Sequence, residues 1–240
     1  MPNAGLIAAV IAVAAAAAGQ AITAIGFSLV AVPFVSLAVG PAAAVPTMNV
    51  LAAGLNVVML THERQHAEWR RALQLFVPAA ITIPIVGVLI KRLDANALSI
   101  INGVVILAAA ALLATGVRVR SLRGRRGAAL AGAVSGAMNV ATSVGGPPIA
   151  MYAVNAEWPA QSYRPTVQAF FLAINVVSFD VRGVPHVKHP SLFPAFGVAM
   201  VLGWLGGSRV ARRVDDHRVR NLLLLIAATG GAVAIVRGFA

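Results

Sequence analysis

The chain has 240 residues, 59% of them hydrophobic and 11% charged, with 19 Lys and Arg against 7 Asp and Glu and a formal net charge of +12. This balance describes a polytopic membrane protein and leaves no room for a separate soluble domain: no charged side chain precedes Glu63, and several later uncharged runs approach spanning length. The absence of cysteine excludes disulfides and thiolate metal sites, and arginines confined to short loops between apolar runs are a topology signal rather than a nucleic-acid footprint.

Residues 6–24 open as an alanine-rich helix whose small side chains suit close packing. The run then meets Gly19, Gln20, Thr23, Gly26 and Ser28 before ending at Pro33, so small and polar residues interrupt an apolar stretch. Pro41 and Pro46 lead into a helix through Leu60, with Asn49 and Asn56 two turns apart on one face. These amides read first as interhelical glue and second as groups aimed at the break. Residues 61–71 form a polar loop, 72–90 a helix kinked at Pro78 and Pro84, 91–94 a turn, and 98–116 another helix. A loop with five arginines follows over 118–126.

Residues 128–157 break the pattern more sharply, because an uncharged small-residue segment runs into Gly145, Gly146, Pro147 and Pro148 and then resumes. Proline removes a backbone donor and glycine costs about 1 kcal/mol relative to alanine in a helix, so a spanning helix breaks here. The pieces, residues 128–141 and 147–156, are expected to reach roughly 21 and 15 Å, short of the ~30 Å hydrocarbon core. Broken backbone at membrane depth is tolerated only where it is buried in protein or lines a cavity. Pro147 suits the first turn of a new helix, whose positive end then points into the break and favours an anion. Ser135, Asn139, Thr142 and Ser143 crowd the same place; a plain loop with small residues for packing is the competing reading.

The second half continues with a loop over 157–164, a helix over 165–180 with Gln168 and Asn175 again two turns apart, and a loop over 180–190. A helix over 192–208 carries Gly203 and Gly207 at a close-packing spacing. An arginine-rich loop over 209–220 and a last helix to Val236 end the chain.

Each half reads as an interrupted segment followed by three ordinary transmembrane helices, and internal duplication accounts for this economically. The fold expected is an all-α polytopic membrane protein, one transport domain over 1–240 with repeat one at 1–117 and repeat two at 127–240. If all eight segments span, the 19 basic residues divide eleven to eight between the faces; if the second broken segment re-enters, they divide fourteen to five. The positive-inside rule prefers the second arrangement, with the Arg-rich linker cytoplasmic. With the first segment re-entrant too, the halves become inverted repeats, a plan that places binding sites at the repeat interface near the midplane.

These residues resemble a known family. The stretch from Gln20 through Thr23, Gly26 and Ser28 to Pro33 resembles the first-repeat motif of the TauE/SafE sulfite exporter family, and Ser135-Gly136 with residues 142–148 and Tyr152 resembles its second. Glu68-Trp69-Arg70 and Tyr163-Arg164-Pro165-Thr166 are similar to its loop and helix-start motifs. Ala21, Ala24 and Asn139 stand where that family more often has glycine, which puts pocket width or substrate in question. The resemblance implies a multi-pass protein of the cell membrane that exports sulfite or small organosulfonates, and is not an enzyme.

The expected substrate site comprises Thr23, Ser28, Ser143 and the backbone at Gly26, Gly145, Gly146 and Pro147, with Gln20, Asn49, Asn139, Thr142 and Asn175 in or beside it. The expected partners are a small anion and the lipid bilayer, with no nucleic acid and no cofactor; a homodimer stays an open option. Two rival readings compete. His62-Glu63-Arg64-Gln65-His66 is a literal H-E-x-x-H, which on a helix binds zinc in a metalloprotease, but it lies in a polar loop with no third ligand at hand. An anion channel needs charged rings or a carbonyl filter, and the spans carry no ionisable side chain for the former.

Overall fold

The structure is a computed structural model that describes residues 2–23, 26–115, 123–185, 192–211 and 213–239. The first part of the arginine-rich linker, 118–122, and most of the loop before the ninth helix lie outside the described residues. Among the described residues there are ten α-helices: α1 Pro2–Thr23, α2 Phe27–Val39, α3 Pro41–Glu63, α4 Trp69–Ile90, α5 Ala95–Thr115, α6 Gly124–Thr142, α7 Gly146–Asn155, α8 Ala160–Arg182, α9 Leu192–Val210 and α10 Asp216–Phe239. Six helical stretches, from α1, α3, α4, α5, α9 and α10, are long and apolar enough to cross a membrane.

The chain is an all-α polytopic membrane protein, and its packing follows the logic of lipid as solvent. Leu73, Val77, Ile81, Ile85 and Val88 form an exposed stripe along α4, while Asn49, Asn56, Asn139, Gln168 and Asn175 are buried. Large apolar side chains face out because hydrocarbon is as good a solvent for them as the interior; helices then approach through small residues. A Cβ added at Gly203 or Gly207 of α9 would meet the backbone of Ala14 or Ala18 on α1, and one at Gly132 or Gly136 of α6 would meet that of Leu75 or Ala79 on α4.

Both expected interruptions are present, with shifted bounds. The first lies between the end of α1 at Thr23 and the start of α2 at Phe27, and α2 carries Pro33 inside it rather than ending there. Pro33 is buried, and its ring lies against Gly230 of α10. The second falls at Ser143–Gly145, so Gly146, Pro147 and Pro148 make the first turn of α7 instead of forming the break. Its 10 residues span about 15 Å and cannot cross the core, whereas α1, with 22 residues, is about 33 Å long and is not a half-helix. Helix α6 has 19 residues, longer than expected, because the helix continues through Arg125 and Arg126 beyond the apolar run.

Other corrections are local. The stretch expected as a polar loop over 61–71 is largely helical: α3 runs to Glu63, a 3-10 turn follows over Arg64–His66, and α4 starts at Trp69. Helix α5 starts three residues earlier than expected, where the Asp94 carboxylate accepts the Ala97 N–H at 2.8 Å as an N-cap. Helix α8 starts at Ala160, just after Pro159, and carries Pro165 in its second turn.

The two halves match in register. Pro46-Thr47, Asn49 and Leu55-Asn56-Val57-Val58 on α3 recur at one fixed offset as Pro165-Thr166, Gln168 and Ile174-Asn175-Val176-Val177 on α8. The same offset pairs Gln20 with Asn139 and Gly26 with Gly145. Packing respects it as well: α3 packs on α8, α5 on α10, and α1 on α9 just as α6 packs on α4.

Candidate functional site

The two breaks meet. Gly26, with φ 111, precedes α2, and Ser143, with φ 61, follows α6; the left-handed conformation at each turns the chain sharply between helices. The Ser28 and Ser143 hydroxyl oxygens lie 3.2 Å apart across this junction. A cavity opens beside them, lined by Gln20, Gly26, Ser28, Asn139, Ser143, Gly145, Gly146, Pro147 and Asn175 among the expected site residues.

Three expected residues stand outside that lining. Thr23 bonds back to the Gly19 carbonyl at 2.9 Å on its own helix. Thr142 donates to the Met138 carbonyl at 2.8 Å and accepts the Val144 N–H at 3.2 Å, so it shapes the break from behind. Asn49 is fully buried two turns along α3, with no partner for either amide atom, as is Gln168, its counterpart on α8. The lining also contains Phe27, Leu29, Ala52, Asn56, Val144, Tyr163 and Phe171. Asn56 had a sequence signal, its spacing from Asn49. Tyr163 had one only as part of the helix-start motif, not as a site residue, and Phe171 had none; the approach of α8 brings both in.

Hydrogen bonds fix the walls. Asn139 Nδ2 donates to Asn175 Oδ1 at 2.9 Å and Asn139 Oδ1 accepts from Ser178 Oγ at 2.7 Å, tying α6 to α8. Ser135 Oγ donates to the Gly145 carbonyl at 2.6 Å, and a Cβ at Gly145 would press on that hydroxyl at 2.9 Å. Gln20 Oε1 accepts the Phe27 N–H at 3.1 Å, a side-chain cap for α2 from the preceding helix. Arg164 donates to the Ile22 carbonyl at 3.1 Å and neutralises the negative end of α1.

The N-termini of α2 and α7 both border the cavity, and their first N–H groups have no acceptor within their helices. At α7 two of these donors are missing, since Pro147 and Pro148 have none, which leaves Gly146. At α2 the Phe27 N–H is taken by Gln20, which leaves Ser28 and Leu29. Among the described residues the lining carries no charged side chain. Its chemistry is therefore neutral hydroxyl, amide and peptide donors under two positive helix ends, which solvates an anion and offers a cation little.

One end of the cavity is bordered by an aromatic and charged cluster. The Glu68 carboxylate accepts from Arg71 Nε at 2.9 Å and from Trp158 Nε1 at 3.1 Å, and the Arg71 guanidinium lies 5.0 Å from the Trp158 ring centre. The Glu68 N–H donates to Thr166 Oγ1 at 2.8 Å, and Trp158 packs edge-on against Tyr163 with centroids 5.6 Å apart. Burial pushes the Glu68 carboxyl up, but hydrogen bonds from Ser162 and Trp158 and the Arg71 charge outweigh it and hold its pKa below the usual value. Trp69 of the expected motif is 58% exposed and takes no part, so Trp158 holds the position that matters here.

The H-E-x-x-H residues form no such centre. His62 lies in the last turn of α3 and His66 in the 3-10 turn that follows, so the two imidazoles do not share a continuous α-helix face. His62 Nδ1 lies 2.8 Å from the Val58 carbonyl, and its ring packs 5.5 Å from that of Trp204. Among the described residues no group of three His, Asp or Glu could hold a metal ion.

Six apolar spanning stretches around a polar, uncharged cavity built from two helix breaks define a multi-pass membrane protein of the transporter class. The family model described as Sulfite exporter TauE/SafE matches residues 8–234, nearly the whole chain, and the chain belongs to that family. Comparison with curated proteins and with solved structures found no match.

Proposed function

We propose that this chain exports a small oxyanion, sulfite or a small organosulfonate, and binds it at the junction of α2, α6 and α7. The observation that carries the reading is the pairing of Ser28 and Ser143 hydroxyls, 3.2 Å apart, beneath two helix N-termini in a cavity without a charged side chain. A compact oxyanion has several acceptor oxygens for the hydroxyls, the Asn139 and Asn175 region and the free N–H groups of Ser28 and Gly146. A cation faces the positive ends of two helices there with no carboxylate among the described lining residues, and a large apolar solute leaves those donors unsatisfied. Family membership agrees with this substrate class.

In this reading the halves are inverted repeats, about 1–117 and 127–240, and the face bearing Arg64, Arg70, Arg71 and Arg164 is cytoplasmic. Basic residues on that face raise the local anion concentration on the export side, an effect screened beyond ~8 Å at physiological salt. The test is purified protein in liposomes challenged with sulfite, sulfoacetate, sulfate, carboxylates and phosphate, read as flux and as ligand-induced thermal stabilisation. Sulfite or sulfoacetate is expected to give both signals. Stabilisation by an amine or a metal cation, with none by any sulfur oxyanion or carboxylate, overturns the reading.

A further inference from the structure

The two halves share one register, yet they are not in the same conformation where α3 and α8 meet the breaks. In the second half α8 packs against α6 and extensively against α4; in the first half the equivalent pairs, α3 with α1 and α3 with α9, barely touch. Instead α3 rests on α2, whose counterpart α7 makes no comparable contact with α8 among the described residues. The same segment thus leans on the second limb of the break in one half and on the first limb in the other.

The hydrogen bonds differ in the same sense. In the second half Asn139 bonds both Asn175 and Ser178. The register equivalents are Gln20, Asn56 and Met59. Gln20 Nε2 points at Met59 Sδ from 3.9 Å, a weak acceptor, and the Asn56 Nδ2 group is buried with no partner. One latch is closed and its counterpart is open. The cavity follows the asymmetry: its lining reaches the partly exposed Tyr163 on α8, while the equivalent residue on α3, Ala44, is completely buried.

Two halves with matching local chemistry can exchange conformations at modest cost, and a structure in which they differ then has a partner state with the roles swapped. We infer that Gln20 and Asn139 are alternating latches: in a second state Gln20 closes on Asn56, Asn139 releases Asn175 and Ser178, and the cavity opens past Ala44 instead of Tyr163. The helix pair α3 and α8 moves as one body, since each is the other's main partner across the repeats. The inference rests on the transporter reading above but is independent of which anion is carried.

The chain has no cysteine, so introduced cysteines can be labelled without background. Ala44→Cys and Tyr163→Cys are made separately in membrane vesicles and treated with an impermeant maleimide from each face. The thiol at position 44 is expected to react from the face opposite the Glu68 loop, and the thiol at position 163 from the Glu68 face. Met59→Ser gives Gln20 the acceptor and donor that Ser178 gives Asn139, so it is expected to raise labelling at position 44 and lower labelling at position 163 about fivefold, the factor for one net hydrogen bond. Ser178→Ala is expected to act in the same direction. A disulfide between cysteines replacing Asn139 and Ser178 is expected to abolish labelling at position 44 until it is reduced. Labelling at position 44 that is indifferent to the disulfide, or labelling at position 163 that does not fall in the Met59→Ser chain, overturns the proposal; the Tyr163→Cys arm decides it if the Ala44→Cys chain does not fold. No readout uses substrate, so failure of the sulfite assay and failure of this exchange are separate results.

Discussion

Ser143 separates the role of a hydroxyl from the role of a bend. It holds φ 61 and ψ 7 at the end of α6, a left-handed conformation that costs an L-residue about 1–2 kcal/mol relative to glycine. Its hydroxyl lies 3.2 Å from that of Ser28, an interaction worth about 0.5–1.5 kcal/mol net. Ser143→Gly relieves the strain, loses the hydroxyl contact and adds about 0.4–1 kcal/mol of unfolded-state entropy, so its stability stays close to that of the parent chain. Ser143→Ala keeps the strain and loses only the contact, and is expected to be about 1 kcal/mol less stable, or roughly 2–4 °C for a chain of this size. Both substitutions remove a cavity hydroxyl, so sulfite flux per folded molecule is expected to fall in both. The assay pairs thermal unfolding in detergent with flux in liposomes. Parental flux in Ser143→Gly refutes a substrate role for the hydroxyl, and an alanine chain as stable as the glycine chain refutes the strain at this bend.

Three further outcomes follow from the geometry. Gly203→Ala places a methyl group on the Ala14 carbonyl and is expected to cost about 1–3 kcal/mol, while Gly206→Ala on the same helix meets nothing within 4 Å and is expected to be neutral or stabilising; equal unfolding temperatures for the two refute close packing of α9 on α1. Glu68 has a lowered pKa, so the stability it contributes is present above its unfolded-state value and is lost as pH falls toward its folded-state value. Parent and Glu68→Gln chains are therefore expected to differ at neutral pH and converge in the acid range, and a gap constant across that range counts against the Arg71 and Trp158 contacts. Single cysteines replacing Gln65, Ala160 and Val214 are expected to react with an impermeant maleimide from one face of the membrane and a cysteine replacing Leu93 from the other; labelling of positions 65 and 160 from opposite faces refutes the re-entrant arrangement of the second break.

Much of this protein was legible in its sequence, for reasons that lie in lipid. Hydrocarbon demands that every backbone polar group be satisfied within its own segment, so uncharged runs map onto helices, and glycine or proline clusters such as residues 145–148 mark the places where helices stop. The breaks and most of the polar residues beside them were therefore readable from local chemistry. Helix ends were read less well where charged residues continued a helix beyond the apolar run, as at Arg125 and Arg126 or at His62 and Glu63. Side-chain partners were the least legible. Residues two turns apart share a helix face, but whether that face meets the cavity or another helix depends on where its neighbour lies. Asn56 and Asn175 reach the cavity while Asn49 and Gln168 are buried beside it without partners, although all four showed the same spacing. Only the tertiary structure set Ser28 against Ser143, brought Tyr163 and Phe171 into the lining and gave Trp158 to Glu68, because each contact joins segments from opposite halves or packed layers of the chain. The difference between the halves lies deeper still: residues at one fixed offset carry similar local chemistry, yet Asn139 bonds Asn175 and Ser178 while Gln20 bonds neither Asn56 nor a hydroxyl at position 59, a contrast set by how α3 and α8 pack against the rest of the bundle.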